Sequence, residues 1–130
     1  MQNPNTWESG DGPSVAGDDV ASIGVCGRLT VQWITGAQSH TVRLEGELDL
    51  ETAQEFDRQL AAIDAARLKR LVVDLRGVTF MDSRGLSSIV RAHQSAEANG
   101  YSLVLRRGSN QVRRLFALTG IDERLTFDDE

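Results

Sequence analysis

Apolar and polar residues alternate along two neighbouring stretches, which predicts a pair of β-strands with one buried face. In the first stretch the apolar residues are Leu29, Val31 and Trp33, and in the second they fall at alternate positions within residues 42–48. Residues 36–39, Gly-Ala-Gln-Ser, separate the two stretches and have the composition of a turn. We therefore expect an antiparallel hairpin.

Helical spacing follows the hairpin. Residues 51–66 carry four apolar residues that a helix would place on one face, namely Ala53, Phe56, Leu60 and Ile63. Residues 71–75 then form a nearly continuous apolar run, which is typical of a strand covered on both faces. We predict a helix, a central strand, and a loop over residues 76–82.

The second half of the chain repeats this alternation. Residues 83–98 have helical spacing, residues 103–105 resemble a strand, and a third helix is predicted after an N-cap at Ser109. Gly120 stands where that helix would end, and residues 125–127 suit a short last strand. The order β-β-α-β-α-β-α, with or without a final β, predicts an α/β fold in which helices pack on a mixed sheet.

The first 27 residues differ from the rest of the chain. They contain both prolines and no regular apolar period, and they hold four carboxylates without any lysine or arginine, at Glu8, Asp11, Asp18 and Asp19. Of the formal charge of −5, this segment carries −4, which leaves −1 for residues 28–130. We interpret residues 1–27 as a flexible acidic arm and residues 28–130 as the folded domain, with Trp7 as an optional anchor to a partner.

Composition excludes several classes of function. The nearly neutral domain has no basic stripe for nucleic acid, and no apolar run approaches the ~20 residues of a membrane span. The N-terminus lacks the pattern of a secretory signal, and Cys26 is the single cysteine. We expect a cytoplasmic protein with no nucleic-acid partner and no membrane association.

Catalytic chemistry is poorly supported. An enzyme would use Ser83 as nucleophile beside Asp82, with His93 or His40 as base. Ten helical residues put His93 ~15 Å from Ser83, whereas a base must lie within ~3 Å of its nucleophile. His40 precedes a predicted strand, and no GxSxG motif is present. We do not expect an enzyme.

Metal and nucleotide sites have no better support. Asp49, Asp74 and Asp82 each follow or end a predicted strand, but no His or Cys accompanies them, and a capping role for Asp49 is simpler. The chain also lacks GxxxxGK[ST] and GxGxxG. No cofactor and no metal is predicted.

Ser83 has two remaining roles, helix cap and phosphoryl acceptor. Its position at a predicted helix start, where backbone N–H groups favour anions, suits both. Phe80 and Met81 are expected to hold the preceding loop down, and Gly85 is expected to leave the hydroxyl open to a macromolecule. The residues alone leave both roles open.

Three segments resemble one family in its own order. VVDLRGVTFMDSRGL, residues 72–86, resembles the signature of the STAS domain of anti-sigma factor antagonists. GELDLETAQEF, residues 46–56, and VRRLFALTGIDERL, residues 112–125, resemble two further segments of that family. The resemblance extends over about residues 29–127.

The resemblance implies a regulatory function. Such an antagonist binds an anti-sigma factor that is also a serine kinase and thereby releases a sigma factor. The kinase then phosphorylates the antagonist, and a PP2C-type phosphatase reverses this. By motif position the phosphorylated residue is Ser83, and the residues implied to contact the partner around it are Asp49, Met81, Asp82, Arg84 and Gly85.

Two departures and one alternative accompany this resemblance. Arg84 stands where a small residue is more usual, and Arg76 where serine is common, so two positive charges are expected near the site. We expect Arg76 to be a solvated surface charge and Arg84 to be able to pair with a phosphate. The chain ends at residue 130, before the closing helix of many relatives. The alternative function is a non-switching STAS scaffold in a sensory or transport assembly.

Overall fold

The computed structural model describes residues 20–63 and 65–128, and all structural statements below concern these residues. Residues 1–19 of the predicted arm, which include Trp7, therefore lie outside the described residues. The elements are the strands β1 to β5, at Val20–Cys26, Leu29–Thr35, Ser39–Leu48, Arg70–Met81 and Ser102–Arg106, and the helices α1 to α3, at Ala53–Ala61, Ser83–Asn99 and Asn110–Thr119. Short 3-10 turns occupy Ala65–Arg67 and Ile121–Arg124.

The five strands form one mixed sheet in the order β1-β2-β3-β4-β5. β1 and β2 pair antiparallel, as do β2 and β3, whereas β3 pairs parallel with β4 and β4 with β5. The predicted α/β class, the hairpin and the mixed sheet are confirmed. In β2, buried Leu29, Val31 and Trp33 alternate with half-exposed residues, and the Trp33 indole donates a hydrogen bond to Gln59 of α1. The alternating apolar residues therefore face the helical layer.

The sheet begins earlier than the sequence pattern indicates. β1 lies within residues 20–26, so the prediction that residues 1–27 all precede the folded part is wrong. Gly27 has a φ of +58° and forms, with Arg28, the two-residue turn that brings Cys26 opposite Leu29. Such a turn requires the left-handed conformation that glycine adopts at little cost.

The predicted loop over residues 76–82 is also wrong, because β4 continues to Met81. Its parallel pairing with β3 passes through two register shifts, at Arg43/Glu45 and Gly46/Glu47. Gly77 permits the close approach of the strands there, since a Cβ at this position would lie 3.1 Å from the Leu44 carbonyl oxygen. The irregular pairing hides the strand from a search for simple alternation.

The remaining differences are at element ends. α1 ends at Ala61 rather than near residue 66, and the last strand is reduced to a single bridge between Leu105 and Phe127. Ser109 caps α3 through the Val112 N–H, and Gly120 follows with a φ of +75°, so both predicted helix-end signals are confirmed.

Parallel pairing of β3 with β4 determines where the candidate site lies. Leu48 at the end of β3 is opposite Met81 at the end of β4. The chain leaves both strands at the same edge of the sheet and enters α1 and α2 side by side. The β3–α1 junction, residues 49–52, and the β4–α2 junction, residues 82–85, are therefore neighbours.

Candidate functional site

Asp82 is the N-cap of α2 and connects the two junctions. One carboxylate oxygen, Oδ1, accepts a hydrogen bond of 2.9 Å from the Gly85 N–H, and Oδ2 accepts one of 3.1 Å from the Leu50 N–H. The Asp82 carbonyl accepts the Leu86 N–H at 3.0 Å. Asp82 therefore fixes the start of α2 and ties it to the loop after β3.

Ser83 is the first residue of α2 and is exposed. Its carbonyl oxygen accepts a hydrogen bond of 3.0 Å from the Ser87 hydroxyl. Within the described part of the chain, its own hydroxyl takes part in no hydrogen bond, since Asp82 supplies the cap. Asp82, and not Ser83, is therefore the cap of α2, and the Ser83 hydroxyl is not used in the fold of the described residues.

Exposed apolar side chains accompany Ser83. Leu50, in the β3–α1 junction, is 62% exposed, and Phe80, two residues before Asp82, is 42% exposed. The expectation that Phe80 holds the loop down is therefore wrong, whereas Met81 does so with only 1% of its surface exposed. We call Leu50, Phe80, Asp82 and Ser83 the switch surface.

Gly85 has a different role from the one expected. It is buried, and a Cβ at this position would lie 2.2 Å from the Leu48 carbonyl oxygen. The missing side chain therefore lets α2 pack directly on the end of β3. Because Met81 and Gly85 are both buried, the prediction that they contact a partner directly is corrected: they support the junction from beneath.

Asp49 is the counterpart of Asp82 at the β3–α1 junction. It is 8% exposed; its Oδ1 accepts hydrogen bonds from the N–H groups of Glu51 and Thr52, and its Oδ2 accepts one of 2.6 Å from Arg28. Burial alone would raise the pKa of Asp49, but these hydrogen bonds outweigh it and hold the pKa below its usual value. Asp49 thus holds the turn before α1 and orients the loop that presents Leu50. The prediction that it caps the helix is wrong, because Thr52 occupies the N-cap position of α1.

Arg84 points toward α1. Its guanidinium lies 3.8 Å from the Asp57 carboxylate, which also accepts a hydrogen bond of 2.7 Å from Arg91 of α2. Arg76 is not part of this group, because it pairs with Asp74 through two hydrogen bonds of 3.0 and 2.9 Å within β4. Only one of the two arginines expected near Ser83 is therefore its neighbour.

Burial would raise the pKa of Asp74, but the Arg76 hydrogen bonds lower it below the usual value. Asp74 therefore forms an ion pair with Arg76 and does not lie at the sheet edge that holds Asp49 and Asp82. Among the described residues, no group of three or more His, Cys, Asp or Glu side chains could hold a metal ion.

The histidines are distant from the switch surface. His40 pairs with Leu71 at the start of β4, whereas Ser83 follows the end of that strand. At ~3.3 Å per residue, the ten residues from Leu71 to Met81 separate them by roughly 30 Å. His93 is partly buried on α2, with its Nε2 3.3 Å from Glu97, and ten helical residues separate it from Ser83 by ~15 Å. Neither histidine is therefore close enough to act as a base for Ser83.

One supporting residue had no signal in the sequence. The Gln111 side chain of α3 accepts the Met81 N–H at 2.9 Å and donates to the Met81 carbonyl at 3.1 Å. It satisfies both backbone polar groups of Met81, the last residue of β4, and anchors α3 to the β4–α2 junction. A glutamine amide can imitate a neighbouring strand, but only the tertiary structure shows where it does so.

Comparison with known proteins identifies the family. The model of the STAS domain family, described as "Mlab, STAS domain", matches residues 34–126. The chain belongs to this family. It is 30% identical over 95 residues to an anti-sigma-B factor antagonist of Staphylococcus epidermidis, which covers 73% of this chain and 88% of that protein. An anti-sigma-B factor antagonist of Staphylococcus aureus strain NCTC 8325 / PS 47 is 28% identical over the same length and coverage.

Solved structures agree on the fold. An anti-sigma factor antagonist from Mycobacterium paratuberculosis is 26% identical with a TM-score of 0.66, covering 78% of this chain and 86% of that one. The antagonist SpoIIAA in its unphosphorylated form is 22% identical with a TM-score of 0.65, covering 77% and 89%. A sulfate transporter family protein from Wolinella succinogenes, 21% identical with a TM-score of 0.61 and covering 69% and 76%, shares the fold alone.

The curated relatives are anti-sigma-B factor antagonists, which supports an antagonist function over the transport scaffold. In the described residues, no helix is long and apolar enough to cross a membrane.

Proposed function

We propose that this protein is an anti-sigma factor antagonist that binds an anti-sigma factor with serine kinase activity through the switch surface, and so releases a sigma factor. Phosphorylation of Ser83 by that kinase ends the binding, and a PP2C-type phosphatase restores it. The protein is the substrate in this cycle and acts in the cytoplasm, where it meets the sigma factor.

The observation that carries the proposal is the contrast between a fixed backbone and an open hydroxyl at Ser83. A kinase needs an accessible hydroxyl, and Ser83 is exposed with no hydrogen bond to its Oγ from the described residues. Asp82 holds the adjacent backbone through hydrogen bonds to Gly85 and Leu50. The acceptor is thus presented in one defined position.

The switch surface also suits a protein partner. Leu50 and Phe80 are two of the three large hydrophobic side chains that are exposed in the described part, the third being Leu118 on α3. Apolar side chains at the centre of an interface contribute most when the surrounding contacts exclude water. We infer that the partner covers Leu50 and Phe80 and contacts Ser83 at the start of α2.

Phosphorylation opposes this contact for two reasons. The phosphoryl group adds about 1.5 to 2 negative charges at pH 7. It places them beside the Asp82 carboxylate, and docking would have to remove water from the phosphate next to two apolar side chains. The start of a helix tolerates an anion, so we expect the domain to remain folded while its affinity for the partner falls.

The test is a phosphorylation assay with candidate anti-sigma factor kinases and ATP, followed by mass spectrometry. Phosphate on Ser83 of the native chain, and none on Ser83→Ala, is the expected result. Ser87→Ala is the matched control, because Ser87 is exposed one turn along the same helix, and it should be modified at Ser83 like the native chain. Stable binding without modification would favour the scaffold, and turnover of a small substrate would favour an enzyme; either result would overturn the proposal.

A further inference from the structure

Three charged side chains between α1 and α2 form a cluster in which one aspartate is paired at different distances with two arginines. Asp57 of α1 lies between two arginines of α2, with Arg91 at 2.7 Å and Arg84 at 3.8 Å. Arg91 also donates a hydrogen bond of 3.2 Å to the buried Ser88 hydroxyl. Asp57 is therefore held firmly by Arg91 and only loosely by Arg84.

Arg84 interacts more weakly with Asp57 than Arg91 does. Within the described residues its guanidinium makes no hydrogen bond, and its distance of 3.8 Å from Asp57 is near the limit for an ion pair. Its side chain is 33% exposed. An exposed pair at this separation contributes little to stability, so Arg84 can exchange its partner at small cost.

Two other charged side chains at these junctions already have partners. Asp82 uses both carboxylate oxygens on backbone N–H groups, and Arg28 is shared by Glu47 and Asp49. Arg84, the residue next to Ser83, could instead be recruited by a dianion on Ser83 without breaking a hydrogen bond to the described residues.

We propose that Arg84 moves from Asp57 to the phosphoryl group once Ser83 is phosphorylated, while Arg91 keeps Asp57 neutralised. This inference rests on the proposed function and assigns Arg84 as the residue that orients the phosphate. Consecutive side chains on a helix point ~100° apart, so Arg84 reaches the phosphoryl group only by rotating its long, flexible side chain away from Asp57 and around the start of α2. A guanidinium can bind two phosphate oxygens at once, which a lysine ammonium does not do.

Movement of Arg84 to the phosphoryl group changes the charge of the surface that the partner contacts. Partial neutralisation by Arg84 weakens the long-range repulsion of the phosphate, whereas the cost of removing water from the pair remains. The phosphorylated surface is then a fixed ion pair rather than a free dianion. Arg84 therefore determines how strongly phosphorylation reduces binding.

The experiment uses the full chain with phosphoserine installed at position 83 by genetic incorporation, so that no kinase is needed. NMR spectra of the arginine Nε–H groups are compared with and without the phosphate. We expect the Arg84 signal to shift downfield and the Arg91 signal to remain in place. An unchanged Arg84 signal, or a shift of Arg91 instead, would overturn the exchange.

A second measurement titrates the phosphate by 31P NMR. Arg84→Gln should raise the pKa of the phosphate by about half a unit, a small fraction of the shifts seen for close charge pairs because the site is exposed. Asp57→Asn should lower that pKa, since Asp57 then no longer competes with the phosphate for Arg84. The control is Arg67→Gln, an exposed arginine near the opposite end of the sheet, which should leave it unchanged.

Equal phosphate titration in the native chain and in Arg84→Gln would also contradict the inference. Because the phosphoserine is installed directly, this failure is distinguishable from failure of the proposed function, which the kinase assay tests. The amide spectrum of each variant establishes that the chain is folded.

Discussion

Two strand-to-helix junctions lie side by side in this protein, and each contains an aspartate and a hydroxyl residue. At the β3–α1 junction, Thr52 is 1% exposed; its hydroxyl donates to the Glu47 carbonyl at 2.8 Å and accepts the Asp49 N–H at 3.0 Å. At the β4–α2 junction, the Ser83 hydroxyl is exposed and has no such bonds to described residues.

The two junctions show how similar local sequences leave one hydroxyl bonded within the fold and the other without a bond to the described residues. Asp49 and Thr52 satisfy each other, so their junction is closed. Asp82 satisfies the backbone by itself, so the hydroxyl beside it is not needed for the fold. Ser83, the residue that we propose is phosphorylated, is thus the one that the fold does not use as a cap.

The largest effect should come from disturbing the contact between the junctions. Gly85→Ala places a Cβ 2.2 Å from the Leu48 carbonyl oxygen and should lower the free energy of unfolding by about 3 kcal/mol. Gly→Ala within a helix normally stabilises by up to ~1 kcal/mol, so the sign itself is informative. Urea denaturation measures this change in the free energy of unfolding.

The control is Gly100→Ala, where a Cβ would meet no atom within 4 Å and the only cost is the φ of +81°. A neutral or stabilising Gly85→Ala would show that the junctions are not in tight contact.

Removing each of the two hydroxyls by substitution with alanine tests this difference directly. Thr52→Ala should cost about 2 kcal/mol, because it leaves buried polar partners unsatisfied. Ser83→Ala should change stability by no more than about 0.5 kcal/mol while it abolishes phosphorylation. Thermal and urea unfolding of both variants provide the measurement. Equal destabilisation by the two would contradict the division into structural and functional hydroxyls.

The apolar part of the switch surface should affect binding rather than folding. Phe80→Ala or Leu50→Ala should weaken binding to the anti-sigma factor about tenfold, or ~1.4 kcal/mol, since both side chains are exposed in the free protein. Calorimetry or biosensor measurements give the affinities. Leu118→Ala is the matched control, being 79% exposed on α3. A loss of affinity in that control, with none at Phe80 and Leu50, would place the interface elsewhere.

A smaller effect is expected from pH. Because the pKa of Asp49 is depressed in the folded state, its contribution to stability is present above the unfolded value of ~3.9 and is lost as pH falls through the folded value. Asp49→Asn should therefore be less stable than the native chain at pH 7, and the difference should narrow near pH 3. Urea midpoints at the two pH values measure this, with the surface variant Asp122→Asn as control. A difference that stays constant with pH would show that the Asp49 charge has no such role.

Local pattern predicted much of this arrangement. Alternation revealed β2 and β3, and the caps at Ser109 and Gly120 marked α3, because these signals depend on residues close in sequence. Ser83 was singled out as a candidate for the same reason: the start of α2 is a local feature. Its phosphorylation stays a prediction.

The rest depends on contacts between distant residues. The reason for glycine at position 85 is the Leu48 carbonyl, which lies 37 positions earlier in the chain, and nothing near Gly85 indicates it. The same holds for the Arg84–Asp57 pair and for Gln111 against Met81. The end of β4 was hidden by its register shifts, which break the period on which strand prediction relies.

We propose that an exposed serine on a rigid junction controls binding to the partner. The most direct measurement is the dissociation constant of the anti-sigma factor for the native chain and for the chain carrying phosphoserine at position 83, with circular dichroism of both forms. We predict identical spectra and an affinity roughly 100-fold weaker for the phosphorylated form. Equal affinities, or an unfolded phosphorylated chain, would contradict the account.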